Sequence, residues 1–322
     1  MYPYEENTNK LSELGEELYR LGAEGLKNKS FGVVVLAGGQ GSRLGSDIPK
    51  ALFKIANKPL IEHHILRIKR LIKDFHCNVT LFIMVSSYTE NQIREYVENN
   101  NLGIPVKIVK QEDRICKDTE GNPLCDENGN VIKAPGGNGD VFKAFKGVDL
   151  REIVCLNVIS VDNVLAKVLD PVFIGAFIKY NTEVLSKAVI KKADENVGVF
   201  VIQNNKLKVR EYIDLKEDEK SVQGNICNHL FSRRFMEAMQ DKELPEHNVL
   251  KKIPFLKDGS WKKPSAPNGY KTETFIFDSF EYAENNDVII VPREYEFAPL
   301  KNGNDSKKDN PDTCEQALRQ YG

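Results

Sequence analysis

Apolar positions along this chain follow one rhythm up to about residue 184 and another beyond it. Leu11, Leu14, Leu18, Leu21 and Leu26 recur near helical spacing, which predicts an amphipathic helix over 8–27 packed on the core that follows. A continuous apolar run at 31–37 then reads as a buried strand. Pro59 opens a strongly periodic helix from Leu60 to Phe75, and Val79 to Val85 reads as the next buried strand. Thr89 is expected to cap a helix ending near Asn100, ahead of a third strand at Val106 to Val109. This β-α-β-α-β order predicts a parallel sheet covered on both faces, with ligands beyond the carboxyl ends of its strands.

A fourth strand, 153–158, runs into Ser160-Val161-Asp162-Asn163 and so places polar residues at such an end. The Gly-, Asn- and Asp-rich stretch from Asp118 to Val131 predicts a surface hairpin, not an interdomain linker. Beyond residue 184 the strands shorten (184–190, 197–202, 206–212, 224–231), as in an antiparallel or mixed extension that would build the second wall of a cleft. The polar segment NGNDSKKDNPD precedes a last short helix, and no internal repeat or low-complexity segment interrupts the pattern.

Length and charge narrow the classes. A chain of 322 residues suffices for one extended α/β unit with a deep core. Lys+Arg 45 against Asp+Glu 47 leaves a net charge of -2, so no global basic field favours nucleic acid or an anionic membrane, and any polyanion must be met locally. The apolar runs are far shorter than the roughly 20 residues that span a bilayer. The polar, acidic start MYPYEENTNK is unlike a signal peptide, and the cytoplasm is the expected location. Cys77, Cys116, Cys125, Cys155, Cys227 and Cys314 form no CxxC pair and are read as reduced, mostly buried thiols.

Candidate chemistry concentrates where the first strand ends. In VVVLAGGQGSRLGSDIPK, residues 33–50, a glycine-rich turn follows the strand and carries Arg43 and Lys50. The Walker spacing GxxxxGK[ST] is absent, and a dinucleotide fingerprint would need glycine where Leu44 stands. Glycines let backbone N–H groups approach phosphates, and the two cations add charge where a leaving anion would develop. That combination points to phosphoryl-type transfer; the simpler alternative is a tight turn with two solvated cations.

LAGGQGSRLG followed by Pro49-Lys50 resembles the signature of sugar-nucleotide pyrophosphorylases. Further blocks in order, PGGNGD (135–140), SVDNVLAKVLDPVFIG (160–175), NVGVF (196–200), GNICNH (224–229), KTETFIFD (271–278) and FAPLKN (297–302), are similar to the eukaryotic UDP-N-acetylglucosamine pyrophosphorylase branch from about residue 11 onward. The resemblance implies a Rossmann-like, GT-A-like nucleotidyltransferase fold. Its mixed, mostly parallel sheet would be covered by helices, with a smaller β-rich sugar-binding extension. A helical segment over 1–30 would precede a catalytic domain over 31–322, whose nucleotide-binding half is 31–183 and sugar-binding half 184–322.

The implied reaction joins UTP and N-acetylglucosamine 1-phosphate to give UDP-N-acetylglucosamine and pyrophosphate. The attacking phosphate oxygen is already mostly ionised near neutral pH, its second pKa being about 6, so no general base is required. What is required is positive charge on the leaving pyrophosphate. The resemblance implies that Arg43 and Lys50 take the β and γ phosphates beside Gly39 and Gly41, and that Lys301 holds the sugar phosphate or the α-phosphate. A divalent cation, Mg²⁺ with Mn²⁺ as the alternative, would have Asp162 as its protein ligand. Leu36, Gly38, Gln111 and Gly137 match positions around uracil; Asn138, Gly198, Glu211 and Asn225 match positions that bond the sugar. Phe275 and Phe277, two apart on one expected strand, would line the N-acetyl pocket.

By resemblance Asn138 favours N-acetylglucosamine over glucose 1-phosphate, since UDP-glucose relatives tend to carry His there, whereas Asp140 and Gly136 depart from that branch, so N-acetylgalactosamine and glucose 1-phosphates, and UDP-glucose or broad UDP-sugar synthesis, stand as the alternatives. A non-catalytic nucleotide-sugar binder would be expected to lose the charges that only transfer needs. Arg43, Lys50, Asp162 and Lys301 are all present. Compared with fuller relatives, the chain starts shortly before the catalytic core and stops soon after NPDTCEQAL; a monomer is expected.

Overall fold

Ser12 starts α1, Glu13–Asn28, by accepting a hydrogen bond from the Gly15 amide through its side chain, with Glu13 and Glu16 at the positive end of the helix and Lys27 at the negative end. The structure, a computed structural model, describes residues 1–5, 8–192, 195, 197–204, 206–211 and 222–322. In chain order follow β1 (Ser30–Leu36), α2 (Leu60–Phe75), β2 (Asn78–Val85), α3 (Glu90–Asn99), β3 (Val106–Lys110), α4 (Val141–Ala144), β4 (Ile153–Ser160) and α5 (Pro171–Tyr180). The second half adds β5 (Val184–Ile190), β6 (Val199–Gln203), β7 (Lys206–Arg210), β8 (Gln223–Ser232), α6 (Arg233–Ala238), β9 (Asn286–Ile290), α7 (Arg293–Glu296) and α8 (Pro311–Tyr321). Tyr212, expected in the strand that became β7, lies outside the described residues.

These nine strands make one sheet ordered β7-β6-β8-β4-β1-β2-β3, with β5 pairing β8 and β9. β4, β1, β2 and β3 are mutually parallel, β8 joins β4 antiparallel, and β6 and β7 continue antiparallel. The expected switch from a parallel to a mixed sheet is therefore present, within a single sheet. Alternation along the strands separates two cores. Val33, Val35, Leu81, Ile83 and Ile159 face the side covered by α1, α2 and α5. Val34, Phe82, Met84, Leu156 and Val158 face Phe142 and Phe145 near α4, Phe235 of α6 and the turn at Ile276–Tyr282.

α1 and α5 meet backbone to backbone. A Cβ added at Gly22 would lie 1.8 Å from the Pro171 carbonyl oxygen, and one at Gly175 would lie 1.8 Å from that of Leu18. Between these helices and the sheet, fully buried Lys187 donates to Asp170 Oδ2 at 2.7 Å and to Glu296 Oε1 at 2.9 Å, tying β5 to the start of α5 and to α7. Burial works against the Lys187 charge, but the two carboxylates hold its pKa above the ordinary lysine value.

Asp118–Val131 forms the expected surface hairpins: Asp118 and Asp126 each cap a tight turn by accepting backbone amides two and four residues on. Thr89 precedes α3, yet its hydroxyl accepts the Ser86 amide at 3.0 Å and makes no capping bond to the helix. All six cysteines are unpaired, four of them buried. Among the described residues no helix is long and apolar enough to cross a membrane.

Candidate active site

The carboxyl ends of β3, β2, β1 and β4 lie side by side, and each delivers polar groups to one region. After β1 the chain turns through Gly41, whose φ of 74° is one that L side chains rarely adopt, and the Lys50 amide closes the loop by donating to the Gly39 carbonyl at 3.0 Å. Lys50 thereby faces the end of β4. Its Nζ lies 3.2 Å from Asp162 Oδ2 and 3.3 Å from the Leu300 carbonyl oxygen. Ser160 fixes the same carboxylate by donating to Oδ1 at 2.8 Å, and the Leu300 amide donates to the Asp162 carbonyl at 2.9 Å. One residue on, Lys301 lines a cleft of about 1150 Å³ together with Arg43, Glu211, Lys192 and Lys307. Four residues from three distant stretches of the sequence, Arg43 and Lys50, Asp162, and Lys301, are thus brought into one neighbourhood.

Beside it, Gln111 at the end of β3 is buried, and its Oε1 sits where a Cβ on Gly38 would come within 2.5 Å. Ser86, at the end of β2, donates to the Gly38 carbonyl at 2.9 Å. Gly38 thus permits the Gln111 side chain to lie across the strand end, with Leu36 just before it on β1.

The residues that the resemblance matches to the sugar form two knots. In the first, Gly137 takes a φ of 95° and leaves no room for a Cβ, which would come 2.3 Å from the Thr274 carbonyl oxygen; Asn138 Oδ1 accepts the Ile276 amide at 2.9 Å. Phe275 and Phe277 do not share a strand: the strand ends at Glu273, Phe275 precedes the turn at Ile276–Tyr282, and Phe277 lies within it. The tight turn nonetheless stacks the two rings at 5.1 Å, and His247 lies 4.8 Å from Phe275. In the second knot, the Asn225 amide donates to the Gly198 carbonyl at 2.8 Å, and Glu211 Oε1 would stand 3.4 Å from a Cβ on Gly198.

The departures at 136 and 140 have one physical cause. Arg114 makes a bidentate pair with buried Asp140, both bonds 2.8 Å, and Thr274 Oγ1 donates to the same carboxylate at 3.3 Å. A Cβ at Gly136 would fall 1.5 Å from Arg114 Nη1 and 2.3 Å from Asp140 Oδ2. The carboxylate at 140 therefore requires glycine at 136, and it is consumed inside the protein. Arg114, Thr274, Ser86 and Ser160 were not picked out by sequence. Ser86 and Ser160 carried the same signal as Asp162, a polar residue just at or past a strand's carboxyl end; Arg114 and Thr274 carried none.

A hard divalent cation fits this chemistry. Asp162 offers carboxylate oxygens beside Lys50, and among the described residues no group of three or more His, Cys, Asp or Glu could form a protein cage. Mg²⁺ characteristically uses one or two carboxylates plus substrate phosphates. The thiol of Cys227 is pushed up to about 12 by burial and by nearby Asp162, so it stays protonated and offers no soft thiolate ligand.

A family model described as UTP–glucose-1-phosphate uridylyltransferase matches residues 3–315. A probable UDP-N-acetylglucosamine pyrophosphorylase of Encephalitozoon cuniculi is 47% identical over 319 residues, covering 99% of this chain and 94% of that protein. The UDP-N-acetylglucosamine pyrophosphorylase of Saccharomyces cerevisiae is 34% identical over 341 residues, covering 95% of this chain and 72% of the yeast protein. The crystal structure of the Trypanosoma brucei UDP-N-acetylglucosamine pyrophosphorylase in complex with inhibitor superposes with a TM-score of 0.82 at 28% identity, over 94% of this chain and 67% of that one.

Proposed function

The chain belongs to the UTP–glucose-1-phosphate uridylyltransferase family, and from that premise we propose that it joins UTP to N-acetylglucosamine 1-phosphate, forming UDP-N-acetylglucosamine and releasing pyrophosphate. The observation that carries this reading is that Arg43 and Lys301 line one cleft while Lys50 pairs with Asp162 and reaches the carbonyl of Leu300, the residue before Lys301, at the strand ends that also carry the Gly38–Gln111 contact. The relatives named above favour the N-acetylated sugar, and the departures at 136 and 140 meet each other and Arg114 inside the protein.

The roles follow from charge and position. Gln111, Leu36, Gly38 and Gly137 hold the uracil, with Gly38 allowing the close approach. Gly39 and Gly41 present backbone N–H groups to the triphosphate, while Arg43 and Lys50 neutralise the β and γ phosphates that leave together. Lys301 holds the sugar phosphate so that its oxygen lies in line with the α-phosphorus. Asn138, Gly198, Glu211, Asn225, Phe275 and Phe277 fix the sugar; Asn138 keeps its side-chain NH₂ for a hydroxyl while Oδ1 is held by Ile276. UDP-sugar pyrophosphorylases in general use a divalent cation; bound at Asp162, Mg²⁺ would supply charge neutralisation across the phosphates. Residues 31–183 thus serve the nucleotide and 184–322 chiefly the sugar.

Turnover of purified variants tests these roles. Arg43→Ala and Lys301→Ala are each expected to lower kcat by about 10²–10³, as for loss of one charge-stabilising donor, while UDP-N-acetylglucosamine still binds. Asp162→Ala should abolish the response to added Mg²⁺. Near-normal turnover in the two cation variants would remove the assignment.

A further inference from the structure

Away from the catalytic cleft, a cavity of about 290 Å³ opens between α2, the segment 165–171 and α8, with Arg67, Arg70, Lys167, Phe75, Tyr295 and Tyr321 in its lining. A second hollow of about 290 Å³ adjoins it at Arg67 and Arg70 and extends toward Arg319. Arg67 Nη1 is buried with no hydrogen-bond partner. Burial lowers the guanidinium pKa to about 10, an effect opposed by Glu296 and reinforced by Arg70. A buried donor without an acceptor is rare and calls for a physical account.

The carboxylates nearby do not supply that acceptor. Asp170 is taken by Lys187 at 2.7 Å, and Glu296 by Lys187, with Lys167 a further 3.7 Å away. Asp74 and the Gly322 carboxylate also line the cavity, yet neither reaches Arg67 Nη1. Among the described residues Lys167 Nζ otherwise meets Asn9 Oδ1 at 3.5 Å and the Tyr295 ring at 6.0 Å, and its charge also acts on Asp170. Arg67 and Arg70, nearly one turn apart on α2, share this lining with Lys167, and guanidinium groups beside an ammonium are a common setting for a phosphate.

We propose that this cavity is a second anion site that binds a phosphate group, separate from the catalytic cleft, with which it shares no lining residue. Free phosphate and the phosphate of a small monoester share this chemistry, and the aromatic walls leave room for an organic body.

Calorimetric titration of the full chain tests it. Arg43→Ala with Lys301→Ala first removes two phosphate ligands of the catalytic cleft; inorganic phosphate and glycerol 3-phosphate are then titrated separately. Saturable binding at one site is expected, weakened at least tenfold by adding Arg70→Gln, an exposed position whose replacement leaves the helix intact, and likewise by adding Lys167→Gln. Tighter binding of glycerol 3-phosphate supports a monoester as the occupant, and equal or tighter binding of inorganic phosphate supports the free anion. Absence of saturable binding, or an affinity unchanged by Arg70→Gln and Lys167→Gln, overturns the site.

Discussion

Arg114 and Asp140 fasten the loop that carries Gly137 and Asn138, and Asp140 does so almost entirely buried, its side chain 1% exposed. Asp140→Ala leaves a largely buried guanidinium whose other carboxylate partner, Glu246, is mostly exposed, so a loss of about 3 kcal/mol in urea unfolding is expected. Because the same loop holds the sugar, KM for the sugar 1-phosphate should rise more than kcat falls; an unchanged KM would separate the pair from substrate positioning. Gly136→Ala should act in the same direction, since its methyl group overlaps Arg114. At this scale the sequence was legible where polar residues end a strand, as at Asp162, or follow a glycine turn, as at Arg43 and Lys50. Arg114 and Thr274 were not legible because their importance arises from partners 26 and 134 residues away at Asp140. Phe275 and Phe277 were paired correctly for the wrong backbone, period-two alternation having been assumed where a tight turn stacks the rings.

Among the elements, α1 and α5 show how a helix readable from its leucines can dock in a way that its leucines do not reveal. Gly→Ala in a helix interior ordinarily stabilises by about 1 kcal/mol. At Gly22 and Gly175 the sign should reverse: the added methyl would sit 1.8 Å from a carbonyl oxygen of the partner helix or its N-terminus. Separating the backbones would open the packing of Leu18 and Ile174, and a net loss of about 1–3 kcal/mol is expected for either variant by thermal or urea unfolding. A stabilised Gly22→Ala variant would contradict the close contact. The periodicity of Leu11 to Leu26 located α1, as the run Val33–Leu36 located β1, because both depend on nearest neighbours in sequence. The glycine face of α1 becomes meaningful only once α5, some 150 residues later, is laid against it.

Taken whole, the molecule is built around one nine-stranded mixed sheet with a core on each face. The parallel part was legible from alternating helices and strands; the placement of β5 against both β8 and β9 was not, since no local pattern encodes which distant strand is the neighbour. This architecture buries His229 and His64 completely, and burial, joined at His64 by the charge of nearby Arg67, lowers both to about 3. In the unfolded chain each would titrate near its ordinary value of about 6.5. Between about pH 6.5 and 3 the unfolded state therefore binds more protons, so stability is full above that window and falls as pH drops through it, by at most about 1.4 kcal/mol per pH unit for each histidine. Urea unfolding at pH 7, 6 and 5 should show this decline, and a His229→Phe variant should have the shallower slope; identical slopes would place the linkage elsewhere. The central claim concerns what the shared cleft transfers and to what. Its most direct test is pyrophosphate release by the purified chain with UTP and Mg²⁺, offering N-acetylglucosamine, N-acetylgalactosamine and glucose 1-phosphates in parallel. Strong preference for N-acetylglucosamine 1-phosphate is the expected result; preference for glucose 1-phosphate would contradict the reading of the sugar pocket, and release from none of the three would contradict uridylyl transfer itself.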